Sequence, residues 1–138
     1  MVKLDKIYTR GGDKGLTSLG DGERVKKYSL RINTYGEIDE ANSLLGISII
    51  YSTKETGERL KIIQNDLFDI GGDLCIPDRS PKKKLRVSEE QIEYLEREID
   101  EMNKNLEALS SFVLPGGTKG SAYLHLARCV VRRSERSL

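Results

Sequence analysis

The stretch Leu60–Leu74, "LKIIQNDLFDIGGDL", decides how this chain folds. Its large apolar residues Leu60, Ile63, Leu67, Ile70 and Leu74 step by 3, 4, 3 and 4. Residues at those steps share one face of a helix, whereas a strand would scatter them over both of its sides. The pattern predicts a bundle helix whose seam packs against other helices. Upstream, Ser52 and Glu55 have the spacing of a capping box that would start it.

Working outward, the same arithmetic applies downstream. Ser88 and Gln91 form a second capping box, and Ile92, Leu95, Ile99, Met102 and Leu106 again step 3, 4, 3, 4. The segment between the two helices, "PDRSPKKKLR", reads as an exposed loop. Residues from about Tyr28 to Tyr51 read as an earlier helix, with Ile32, Tyr35, Ile38, Leu45 and Ile49 near helical spacing and Gly36 and Gly46 weakening it. After the break "SSFVLPGGTKG", a last helix runs from about Ser121 to the end. Four helices with short links predict an all-α, up-and-down helical bundle.

Composition agrees. The 138 residues suit one domain, residues 1–138, with 37% apolar and 33% charged residues and no tryptophan, a balance that suits solvated helices better than a β-sandwich. A formal net charge of +1 supplies no field for nucleic acid or membrane. Cys75 and Cys129 make no CxxC pair and no disulfide framework, and no apolar run approaches the roughly 20 residues of a membrane span. The expected location is the cytoplasm.

The opening stretch is different. "YTRGGDKGLTSLGDGER", Tyr8 to Arg24, holds five glycines and is written neither as an amphipathic helix nor as a half-buried strand. Glycines let backbone N–H groups converge on an anion, and Thr9, Arg10, Lys14, Thr17, Ser18 and Lys27 add donors and charge. This is the chemistry of a phosphate cradle. It lacks the Gly-Lys-Ser/Thr order of a P-loop, and a loose charged terminus is the plainer alternative.

On the last helix Ser121, His125, Arg128, Arg132 and Arg136 fall on one face, leaving Leu124, Ala127, Val130 and Val131 for the core. Arginines stacked this way repel unless an anion or carboxylates neutralise them; the plainer alternative is a solvated basic face. On the first helix Arg31, Tyr35, Asp39, Asn42 and Gly46 make a polar stripe, with Asp39 a natural partner for an arginine within or between subunits.

Four blocks carry a resemblance: "YTRGGDKGLTSL", "GERVKK", "TYGEIDEANSLLG" and "LPGGTKGSAYLHLARCVVRRSER". In this order they are similar to the signatures of the PduO-type ATP:cob(I)alamin adenosyltransferases, over nearly the whole chain. The resemblance implies a ferritin-like helical bundle of five helices, assembled as a homotrimer with active sites between subunits. It implies transfer of the 5′-deoxyadenosyl group of ATP to cob(I)alamin, giving adenosylcobalamin and triphosphate. MgATP and the corrinoid would be substrates, with Mg²⁺ carried on the phosphates and not in a metal site of the protein's own. A cob(II)alamin reductase and an adenosylcobalamin-dependent enzyme would be partners.

Residue by residue, the resemblance makes 1–27 a nucleotide-binding segment. Thr9, Arg10, Gly11, Gly12, Asp13, Lys14, Thr17 and Ser18 would wrap the triphosphate, and Lys27 would contact ATP. Arg132, Glu135 and Arg136 would form the nucleotide face of the last helix, Arg132 and Arg136 serving catalysis. Asp39 and Arg128 would bridge subunits beside the corrin, and Phe112 would crowd the lower face of the cobalt. Family members continue past "RRSER" into a fifth helix, while this sequence ends at Leu138. A non-catalytic helical oligomer that binds ATP and corrinoid is the alternative function.

Overall fold

The structure, a computed structural model, describes residues 6–81 and 85–138. The lysine run expected in an exposed loop, Lys82–Lys84, lies outside the described residues. In chain order the elements are β1 (Leu16–Ser18), β2 (Arg24–Lys26), α1 (Leu30–Ile50), α2 (Lys54–Cys75), α3 (Glu89–Asn103) and α4 (Lys119–Ser137).

Helix α1 is the axis of the fold, with α2 on one side and α4 on the other. Its buried residues are Thr34, Ile38, Ala41, Leu45 and Ser48, again at steps of 4, 3, 4 and 3. Three of the five are small, which lets two neighbours close on one helix. Ile32 and Tyr35 are only half-buried. Leu45, Leu60 and Ala127 form the centre of the core, with Leu44, Ile49, Ile63, Leu67 and Leu124 packed around it. Polar ties fix the register: Asn42 Nδ2 donates to Gln64 O at 3.1 Å, and Gln64 Nε2 returns a bond to Asn42 O at 3.0 Å. Helix α4 runs antiparallel to α1, with Thr34 Oγ1 donating toward Ser137 O at one end and Tyr51 stacked on Tyr123 at the other. Gly120 is required at that second end, because a Cβ there would sit 2.5 Å from Tyr51 O.

Several expectations need correction. Thr53, not Ser52, caps α2: its side chain accepts from Thr56 N–H, while Ser52 Oγ donates back to Ser48 O at 2.7 Å. That bond holds the Ser52 hydroxyl on the turn of α1, and the residue standing at the N-cap position is Thr53. The Ser88–Gln91 capping box is present, with Ser88 N–H donating to Gln91 Oε1 at 2.8 Å. Helix α3 ends at Asn103, before Leu106, and it buries no residue. Its stripe of Ile92, Leu95, Ile99 and Met102 stays 39–53% exposed. Polar bonds tie it to α2 instead, through Arg59–Glu98 at 2.5 Å and Gln91 Nε2 to Asp66 Oδ1 at 2.5 Å. On α4, Ser134 is buried and Val131 is not.

The opening stretch does contain strands. β1 and β2 pair antiparallel, Thr17 opposite Val25. They are joined by residues 19–23, in which Leu19 O accepts from Gly22 N–H, Leu19 N–H donates to Glu23 O, and Gly22 takes φ +94°. A turn followed by one left-handed residue matches the twist of a hairpin, and glycine holds that conformation at no steric cost. The hairpin tip docks on the end of α2, where Gly20 N–H donates to Cys75 O at 2.8 Å. Arg31 caps the same end through Leu74 O at 2.8 Å. Both bonds satisfy carbonyls that a helix C-terminus leaves open, and the cation also suits its negative dipole end.

Candidate functional site

The Gly-rich segment folds into two linked turns. Asp13 N–H donates to Arg10 O at 3.4 Å and Gly15 N–H to Gly12 O at 3.1 Å, with Gly15 at φ +77° and Gly15 O accepting from Lys27 N–H at 3.0 Å. Lys27 is thereby brought back over the segment. A Cβ on Gly12 would lie 2.7 Å from Lys27 Nζ, so the ammonium sits directly against that glycine and would have to swing aside for any larger residue. Arg10 stands at φ +57°, a conformation that costs a non-glycine residue of order 1–3 kcal/mol, and its guanidinium lies 5.5 Å from the ring of Tyr8. Thr9, Arg10, Gly11, Asp13, Lys14 and Ser18 are exposed, and Gly12 and Thr17 are half-buried. The result is an open, donor-rich surface with two ammonium groups and a guanidinium beside it.

The arginine face of α4 is as expected, and it divides. Arg128 and half-buried His125 open into a groove of about 460 Å³ with Tyr51, Thr53, Thr118 and Ser121, where the α1–α2 turn meets the start of α4. Arg132 and Arg136 lie one and two turns further on, at the end of α4 that meets the start of α1. That is also the end where the hairpin docks. Arg128 to Arg136 spans about 12 Å along the helix. Arg136 Nη1 rests on Arg132 O at 2.7 Å, and both side chains, like Glu135, are exposed. The neighbouring Arg133 is committed elsewhere. It pairs with Glu40 on α1, whose carboxylate raises the guanidinium's pKa.

Asp39 lies on the opposite side of α1, in a groove of about 370 Å³ against α2 that Tyr35, Leu67, Phe68, Gly72 and Cys75 also line. Burial, and secondarily Cys75, pushes the Tyr35 phenol up, so it stays a neutral donor in that groove. Among the described residues Asp39 and Arg128 do not pair within the chain. Phe112 is fully exposed, in the irregular segment between α3 and α4. It packs on nothing that a core residue would need.

No cluster of three or more His, Cys, Asp or Glu side chains that could hold a metal is present among the described residues. The oxygen donors beside the Gly-rich turns are Asp13 and the hydroxyls of Thr9, Thr17 and Ser18. That set suits a hard cation such as Mg²⁺ that keeps water and phosphate ligands, and not a dedicated protein cage. Among the described residues no helix is long and apolar enough to cross a membrane.

Sequence reasoning missed Arg24, which proves central to the segment's geometry. Its only signal in the sequence is an arginine inside "GERVKK", close in sequence to the glycine-rich stretch.

Comparison with known proteins places this arrangement. The family model for cobalamin adenosyltransferase matches residues 7–138. A corrinoid adenosyltransferase of Mycobacterium bovis is 48% identical over 140 residues, covering 99% of this chain and 72% of that protein. One from Bacillus subtilis is 42% identical over 136 residues, covering 95% and 69%. Among solved structures, a variant PduO-type ATP:corrinoid adenosyltransferase from Lactobacillus reuteri, complexed with cobalamin and ATP, superposes with a TM-score of 0.91 at 35% identity, over 96% of this chain and 75% of that one. The chain belongs to the cobalamin adenosyltransferase family.

Proposed function

We propose that the protein transfers the 5′-deoxyadenosyl group of ATP to cob(I)alamin, releasing triphosphate. The observation that carries the reading is the Lys27 ammonium held over Gly12 at the end of the bundle where Arg132 and Arg136 emerge. Cob(I)alamin is itself a strong nucleophile, so the protein supplies no general base. A cobalt–C5′ bond forms as the C5′–O bond breaks, and the electron pair leaves with the triphosphate. The chain's task is to align the reactants and stabilise the charge gathering on the leaving group.

In this reading residues 1–138 act as one unit, with 1–27 as its nucleotide-binding segment. Thr9 to Lys14, Thr17, Ser18 and Lys27 wrap the triphosphate. Arg132 and Arg136 face it, and Glu135 orients the nucleotide. Mg²⁺ arrives on the phosphates and neutralises part of their charge. Arg128, about two turns away from Arg136, serves the corrin side. Asp39 and Arg128 stand on different faces of one chain, which supports a pairing between neighbouring subunits of a trimer. Phe112, free of the core, is available as an apolar wedge that keeps a lower ligand off the cobalt, easing reduction of cob(II)alamin. A cytoplasmic setting, a cob(II)alamin reductase upstream and an adenosylcobalamin-dependent enzyme downstream complete the proposal.

Hydrogen exchange tests the placement of the nucleotide. MgATP should slow exchange across residues 8–15, where backbone N–H groups meet phosphate. Equal exchange with and without MgATP would remove the cradle from the account.

A further inference from the structure

We infer that Arg24 is a positioning residue that sets the shape of the anion-binding turns before nucleotide arrives. The inference rests on the reading of residues 9–18 as the triphosphate site. From the start of β2, its guanidinium reaches back across the hairpin to three acceptors. Nη2 donates to Gly11 O at 2.5 Å and to Leu16 O at 3.3 Å, and Nη1 donates to Ser18 Oγ at 3.0 Å. One planar fork thus joins the Gly-rich turn, the start of β1 and its end. Lysine, with a single ammonium on a flexible stem, cannot span that set.

The consequence follows from peptide geometry. The described residues contain no cis peptide bond, so each C=O and the next N–H lie in one plane and point in opposite directions. Turning Gly11 C=O onto Arg24 directs Gly12 N–H away from the guanidinium, on the residue that Lys27 Nζ overlies. The Gly11 carbonyl is drawn inward to a cation, and the Gly12 amide beside it is turned outward, where an anion can meet it. The segment's glycines give it many other conformations, and Arg24 selects among them. It spends its donors on the protein's own carbonyls and on a hydroxyl, so its role is to shape the site and not to hold phosphate.

The test uses the full chain, wild type, Arg24→Gln and Arg24→Lys, with MgATP and inorganic triphosphate as probes. Two measurements are made: equilibrium affinity for each probe, and hydrogen exchange of residues 10–18 in the nucleotide-free protein. Arg24→Gln should exchange faster at residues 10–18 and bind both probes more weakly by roughly 10- to 100-fold, as expected for hydrogen bonds lost from a preorganised site. Arg24 is exposed, so its melting temperature should hold. Arg24→Lys should fall between the two proteins in both measurements. Unchanged affinity in Arg24→Gln overturns the inference. So does weaker binding with unchanged exchange in the free protein, since that pattern belongs to a residue touching phosphate directly. A wild-type chain that binds MgATP but forms no alkylcobalamin would remove the proposed reaction and leave the role of Arg24 standing.

Discussion

The packed interior of α1, α2 and α4 and the surface that surrounds it divide the protein's two tasks. In the interior Leu45 is 5% exposed and Ala127 2%, while in the segment before α4 Phe112 is 106% exposed. The hairpin is ordered by hydrogen bonds to carbonyls and by one guanidinium, with Leu19 as its buried anchor. On the proposed function, stability therefore resides in one region and chemistry in the other. Residues that hold a reactive anion or face a cofactor must stay solvent-accessible, so they contribute little to the core.

The largest effect should come from crossing that divide. Leu45→Ala removes the centre of the core and should cost about 2–5 kcal/mol, lowering the melting temperature steeply. Phe112→Ala should leave the melting temperature and ATP affinity near normal and sharply reduce adenosylation that starts from cob(II)alamin. Early unfolding of Phe112→Ala, with full activity in the folded remainder, would erase the contrast.

Next come the arginines. Arg132→Ala or Arg136→Ala removes a charge-assisted phosphate contact worth ~1.5–3 kcal/mol, so ATP use should weaken by roughly 10- to 150-fold with little change in stability. Normal ATP kinetics in both variants would mark the face as merely solvated. For Asp39→Asn the expected loss is confined to corrinoid use, with ATP binding nearly intact and light scattering reporting a trimer for the unmodified chain. A monomer at micromolar concentration would contradict the intersubunit pairing.

Much of this was legible. The 3-4-3-4 steps placed α2 and α3 because large apolar residues mark a helix face whatever packs on it. What covers that face is a different matter. Leu60 is 8% exposed and Ile99 53%, although the sequence writes both as seam residues. Thr34, Ala41 and Ser48 escaped notice because a helix squeezed between two others buries small residues, which no hydrophobic scale flags. The hairpin escaped because strands of three residues carry no alternation to count. Asp21-Gly22 was the available signal, a dipeptide suited to a tight hairpin loop. The arginine face and the glycine segment stand out in the sequence as candidates for anion binding, but nothing in their spacing showed that α4 returns antiparallel to bring both to one end.

The smallest effect concerns α3, which buries no residue and is tied to α2 through Arg59–Glu98 and Gln91–Asp66. The Ser88 side-chain hydrogen bond holds the Glu90 carboxylate below its usual range. A depressed carboxylate stabilises the fold above the ordinary glutamate value of about 4.5, and that contribution fades as pH falls through the folded value. Protection from exchange at the start of α3, taken relative to the intrinsic rate at each pH, should therefore fall on acidification, and Glu90→Gln should flatten that fall slightly. An identical acid limb in the variant would assign it to another group.

The most direct measurement is to supply the full chain with MgATP and chemically reduced cob(I)alamin and to identify both products. The account predicts inorganic triphosphate and a light-sensitive alkylcobalamin in equal amounts, neither forming without protein. ATP that remains intact, or is cleaved to other phosphates while the cobalamin stays unalkylated, would contradict it.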